Sequence, residues 1–155
     1  MLEYEQYRLE LQGLEKNIDD LEFSLDIKGT KEKIAELEEA ATAQDFWDDM
    51  ENSQKILQKT GKLKNTVSAY DTLCSSFEDL EVLIEMGDEE EDLSLVEEIE
   101  AGITEFEKGL ASLRLQTLLT GEYDKNNAIF LKEFLNDIEY WLKNRHSRIF
   151  QRMVL

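Results

Sequence analysis

At 155 residues, with no proline and seven glycines, the chain fits one domain whose helices can run long without interruption. Its formal charge of −19 is repelled by phosphate backbones, which excludes direct nucleic-acid binding through the acidic body and favours a basic protein surface as partner. Cys74 is the single cysteine, so no intrachain disulfide can form, and with neither a basic leader nor a bilayer-length apolar run the expectation is a cytoplasmic address and no membrane partner.

The first element is the clearest. Tyr4, Tyr7, Leu11, Leu14, Ile18, Leu21 and Leu25 step by three and four, which predicts a helix with one apolar stripe. Gly13 falls inside it and costs about 1 kcal/mol relative to alanine, less than the stripe gains by burial. Asp26-Ile27-Lys28-Gly29 marks a break or kink, and Ile34, Leu37 and Ala41 continue a shorter second helix.

Ala43-Gln44-Asp45-Phe46-Trp47 interrupts the pattern. Phe46 and Trp47 have two readings there: a hydrophobic plug stapling the next helix start, or an exposed anchor for a partner protein. Asp45, Phe46 and Trp47 are accordingly the candidate partner-binding residues.

A third helix is expected from near Asp48, with Asp48 and Glu51 at capping-box spacing. Its stripe reads Ile56, Thr60, Leu63, Val67, Tyr70, Cys74 and Phe77, then Leu80 and Ile84 after a small phase slip. Cys74 is thereby read as a buried small apolar residue rather than a reactive thiol. Gly87 and the acidic run Asp88–Asp92 predict a glycine stop followed by a solvated turn.

Ser94 and Glu97 form a second capping-box pair, and Val96, Ile99, Ile103, Phe106, Leu110 and Leu113 a fourth stripe, with Gly121 as terminator. Two long stripes, at 53–86 and 94–120, joined by a short turn must run antiparallel to bury each other, and the first helix supplies a third. The expected fold is all-α: an elongated antiparallel helical bundle with coiled-coil character over 1–121, followed by a junction and a divergent tail over 122–155. Residues 1–121 hold 11 Lys/Arg against 31 Asp/Glu, and 122–155 hold 6 against 5.

Chemistry is sparse. His146 is the only histidine, with Leu142, Lys143, Ile149 and Phe150 as its helical neighbours, so no carboxylate orients it or shares a metal. Asp88–Asp92 lacks the alternating ligands and mid-loop glycine of a calcium loop. No phosphate-binding glycine loop or nucleophile elbow occurs. The chain reads as non-enzymatic, without cofactor or metal.

Several segments resemble one family. Leu21–Asp26 with Lys31–Glu38, then Asp45-Phe46-Trp47-Asp48, then Leu80–Met86, and above all Leu118–Ile129 with its Gly-Glu-Tyr-Asp, are similar in order to the first helical domain of bacterial class I peptide chain release factor two. The resemblance covers roughly residues 1–129. It implies a role in translation termination and a ribosomal partner, a basic ribosomal protein near the factor-binding region. In that family the core that follows carries Ser-Pro-Phe for codon reading and Gly-Gly-Gln for hydrolysis. Neither tripeptide occurs here, so the expectation is a helical module without that reaction centre.

The departure begins at Phe130. Phe130, Leu131, Phe134, Leu135, Ile138, Trp141 and Leu142 have helical spacing, and Lys143, Arg145, Arg148 and Arg152 make the end basic. One reading is an amphipathic helix that packs on the acidic body or on a second copy; the rival is the remnant of a truncated gene. Alternatives to a ribosome-binding module are a homodimeric helical scaffold, a remnant with no ribosomal role, or a domain whose core is encoded elsewhere.

Overall fold

A computed structural model of the chain describes residues 2–120, 132, 135–140 and 143. Its elements are α1 (Leu2–Leu25), α2 (Ile27–Ala40), α3 (Met50–Glu89), a 3-10 turn at Leu93–Leu95, and α4 (Val96–Thr120). The fold is an all-α helical bundle, with no strand among the described residues. The chain divides into two compact units, Met1–Leu113 and Arg114–Leu155. In the second, the end of α4 and residues 135–140 are helical; Gly121, His146 and most of the predicted tail helix lie outside the described residues.

Within the first unit α3 is the spine. Its 40 residues extend about 60 Å at 1.5 Å per residue. α1 and α2 lie end to end along it, both antiparallel. Tyr4 meets Gly87 and Arg8 pairs with Asp88 at 2.8 Å, which sets α1 against the C-terminal half of α3. Lys31 with Asp71 and Glu38 with Lys64 set α2 against the middle of α3. α4 also runs antiparallel to α3: Phe106 packs on Phe77 at 5.9 Å between ring centres, Gly102 faces Leu80, and Gly109 faces Leu73.

The glycine pair explains the close approach of those two helices. A Cβ on Gly102 would meet Leu80 Cδ2 at 2.6 Å, and one on Gly109 would meet Leu73 Cδ2 at 2.8 Å. Heptad-spaced leucines of α3 thus seat over heptad-spaced glycines of α4.

The α1 stripe is buried from Tyr4 through Leu21, with Leu25 half-buried. Together with Tyr70, Leu73, Phe77, Leu80 and Ile84 of α3, and Ile99, Ile103, Phe106, Leu110 and Leu113 of α4, it forms one core. Each such side chain contributes about 2 kcal/mol on burial, so the six fully buried residues of α1 outweigh the helix cost of Gly13 several-fold. α2 is different. It buries only Ile27, and Ile34, Leu37 and Ala41 stay half-exposed.

Buried phenols fasten the end where α1 starts and α3 turns into α4. Tyr4 Oη donates to the Asp92 carbonyl, and Tyr7 Oη donates to Glu100 Oε1 at 2.6 Å.

Several expectations need correction. Cys74 is only half-buried, and Leu73 takes the core position beside it. At that level α3 faces α1 on one side and α4 on the other, so its buried face is wider than a single stripe and includes Leu73. Gly87 does not stop α3; the helix continues to Glu89. Its lack of a Cβ instead admits the Tyr4 ring, which would lie 2.5 Å from one.

The stop is Glu91, whose φ of 52° is left-handed. Asp92 N–H donates to the Gly87 carbonyl at 3.0 Å and Glu91 N–H to the Asp88 carbonyl at 3.4 Å, the paired bonds of a Schellman closure. Neither expected capping box forms as drawn. Asp49, not Asp48, caps α3 by accepting from Asn52 N–H, and Asp92, not Ser94, caps the 3-10 turn that precedes α4. The expected break at Asp26 is present: Asp26 is left-handed, at φ 45°, and its carboxylate accepts from Gly29 N–H.

Two measurements check this packing. Gly87→Ala should lower the urea midpoint, by an amount equivalent to about 1–3 kcal/mol for overpacking, whereas Gly61→Ala, with nothing within 4 Å of its added Cβ, should raise stability by up to about 1 kcal/mol. Equal effects at the two sites would contradict the close approach of Tyr4.

The second concerns alkali. Burial raises the pKa of Tyr4, with Asp92, Asp88 and Glu3 adding to it. Burial also raises that of Tyr70, helped by Cys74. Unfolded phenols ionise near pH 10, so above that pH the folded chain holds protons the unfolded chain has lost. Stability from these groups is full below about pH 10 and falls as pH rises toward the folded values. A urea midpoint insensitive to tyrosine ionisation until about pH 10, then declining as tyrosinate absorbance grows, is the expected result.

Candidate functional site

The connection between α2 and α3 is built from consecutive tight turns. Ala41 N–H donates to the Leu37 carbonyl, Phe46 N–H to Ala43 and Asp48 N–H to Asp45, each at 3.1 Å. Asp49 then adopts an extended conformation, φ −110° and ψ 95°, and its side chain accepts from Asn52 N–H at 3.1 Å. A short polar side chain at this position satisfies a backbone donor that the first helical turn leaves free.

Ser53 ties the turn to the helix. It is fully buried; its hydroxyl donates to the Phe46 carbonyl and lies 2.7 Å from the Asp49 carbonyl. Phe46 is held by that bond and is 7% exposed, whereas Trp47 is 54% exposed. The two rings meet edge-to-face, 5.0 Å apart at 84°, the arrangement aromatic quadrupoles favour.

The two sequence readings therefore divide between two residues. Phe46 is the plug under the turn, and Trp47 is the exposed ring standing on it. Asp45 is exposed beside them, as are Asp48 and Asp49. Sequence reasoning missed Met50 and Leu57, which are 59% and 45% exposed. They lie seven residues apart, hence on one side of α3. Their signal was available: both are large apolar residues off the buried stripe of α3, among polar neighbours at Glu51, Gln54 and Gln58.

The surroundings are acidic. Glu51 pairs with Lys55 at 2.9 Å, an exposed contact of small energetic weight. Among the described residues no group of three or more His, Cys, Asp or Glu could hold a metal ion, and no helix is long and apolar enough to cross a membrane. The arrangement presents a rigidly seated aromatic ring and carboxylates. It offers contact surface.

Residues 30–131 match the PCRF domain family, a span that includes most of α2, the Asp45–Trp47 turn, α3 and α4. Among similar proteins is peptide chain release factor 2 of Exiguobacterium, 37% identical over 128 residues, covering 83% of this chain and 35% of that protein. Those of Staphylococcus saprophyticus and Clostridium perfringens are 37% and 33% identical, over 78% and 83% of this chain and 34% and 35% of theirs. The chain thus spans about a third of the length of the curated relatives it matches. With two-thirds of its residues inside the family's boundaries, the chain belongs to the PCRF domain family and is related to peptide chain release factor 2.

Proposed function

We propose that the chain is a non-catalytic docking domain of translation termination, which binds a basic ribosomal protein surface through Asp45, Phe46 and Trp47. Family membership supports the setting: the relatives are named as peptide chain release factors. The observation that carries the site is Trp47, a half-exposed indole seated on a buried phenylalanine within the family-matched span. Exposed Trp is a frequent energetic anchor of interfaces, and one whose rotamer is already fixed loses little entropy on binding.

The acidic character supports a basic partner and long-range attraction toward it. A cytoplasmic address follows from that role, and the charge difference between 1–121 and 122–155 supports a division into an acidic bundle and a tail. No Gly-Gly-Gln occurs in the 155 residues.

Ribosome co-sedimentation of the purified chain is the test. Binding should weaken about tenfold when salt is raised enough to shorten the screening length below the spacing of surface charges. Trp47→Ala should weaken it by a further factor of about ten or more while leaving the melting temperature nearly unchanged, because the ring is half in solvent. No association at low salt, or full association by Trp47→Ala, would contradict the proposal. A stable dimer by light scattering without ribosome affinity would favour the scaffold reading instead.

A further inference from the structure

Charge is segregated along the bundle. Residues 65–107 contain 15 Asp/Glu and no Lys or Arg, whereas 28–64 contain eight acidic and seven basic residues. The first stretch is the C-terminal half of α3, the turn and the first half of α4. There α3 buries Tyr70, Leu73, Phe77, Leu80, Ile84 and Gly87, and helical geometry places Glu78, Asp79, Val82, Glu85, Met86 and Glu89 on the opposite side. All six are exposed, Val82 to 55% and Met86 to 47%. Val82 and Met86 are one turn apart, so they form a continuous apolar spot. Arg8 of α1 pairs with Asp88 and lines a cavity with Glu81 and Glu85, and Lys31 of α2 pairs with Asp71.

An apolar spot inside a ring of like charge does not serve the fold, since neither side chain is withdrawn from water. It has the make-up of an interface: an apolar centre with a polar rim. We propose that this face of α3 docks a basic amphipathic helix of a partner protein, whose apolar residues cover Val82 and Met86 and whose Lys or Arg side chains meet Glu78, Asp79, Glu85 and Glu89.

Charge decides the occupant. The carboxylates repel nucleic acid and anionic lipid, and residues 1–121 of a second copy, with 11 Lys/Arg against 31 Asp/Glu, bring the same sign. A basic amphipathic helix supplies both complements at once, with anchors at the spacing of Val82 and Met86. Methionine adapts its shape to such a partner at little cost. The face is separate from the Trp47 element: Val82 lies about 48 Å along α3 from Met50. Its test uses no ribosomes, so it stands or falls independently of the docking role above.

The experiment is calorimetric titration of the full chain with a synthetic 18-residue Leu/Lys amphipathic helix. A peptide of identical composition, scrambled to remove its apolar face, serves as comparison. The amphipathic peptide should bind at least about tenfold more tightly than the scrambled one. Val82→Ser with Met86→Gln should remove that difference, and Glu78→Gln with Glu89→Gln should weaken binding about tenfold at low salt. Glu32→Gln with Glu39→Gln, an equal charge change on α2, should stay within about twofold. Circular dichroism confirms that each variant is folded. Equal binding of the two peptides, no effect of the Val82/Met86 pair, or equal loss from the α2 pair would each overturn the proposal.

Discussion

The structure depends on the long buried face of α3, against which α1, α2 and α4 all pack. Along the first half of the helix, Ser53, Thr60 and Val67 are buried, one residue per heptad, and α2 meets α3 near its middle, at Lys64 and Asp71. From Tyr70 onward the burial quickens to Tyr70, Leu73, Phe77, Leu80, Ile84 and Gly87, about two per heptad, where α1 and α4 both pack. A helix with one neighbour buries a narrow line, and a helix with two buries a wide face. The change of rhythm near Tyr70 therefore marks where the core begins.

That rhythm also separates the surfaces. The well-packed half carries the tyrosine fastenings and nearly all of the large buried side chains, while its outward face is almost purely acidic. The half paired with α2 is close to neutral, buries less, and ends in the turn where Phe46 is enclosed and Trp47 is not. Rigid helical elements of this kind hold a contact residue at a fixed position without any bound group. Helical elements that hold an exposed residue such as Trp47 in place suit the docking role proposed above.

Much of this was legible in the residues. The α1 stripe reads correctly at every position from Tyr4 to Leu21, because a regular 3-4 step over seven positions has few other solutions. The break at Asp26 was legible from Asp and Gly chemistry.

What was not legible depended on partners distant in sequence. Gly87 resembles a helix stop in isolation, and only the Tyr4 ring, 83 positions earlier, explains its place inside the helix. Leu73 rather than Cys74 enters the core because α4 approaches that side, through Gly102 and Gly109. The caps slipped by one or two positions because Asp48 and Asp49, or Asp92 and Ser94, offer the same chemistry, and backbone dihedral angles choose between them. At the candidate site the pair Phe46-Trp47 was legible as a unit. Which ring would be enclosed was not, since that is settled by the Ser53 hydroxyl reaching back to the Phe46 carbonyl.

The change of burial along α3 is measured most directly by amide hydrogen exchange along that one helix. Protection should be greatest from Tyr70 to Gly87 and fall toward Met50, because local opening costs more where more large side chains are buried. Uniform protection along α3, or stronger protection between Met50 and Thr66 than beyond Tyr70, would contradict the account.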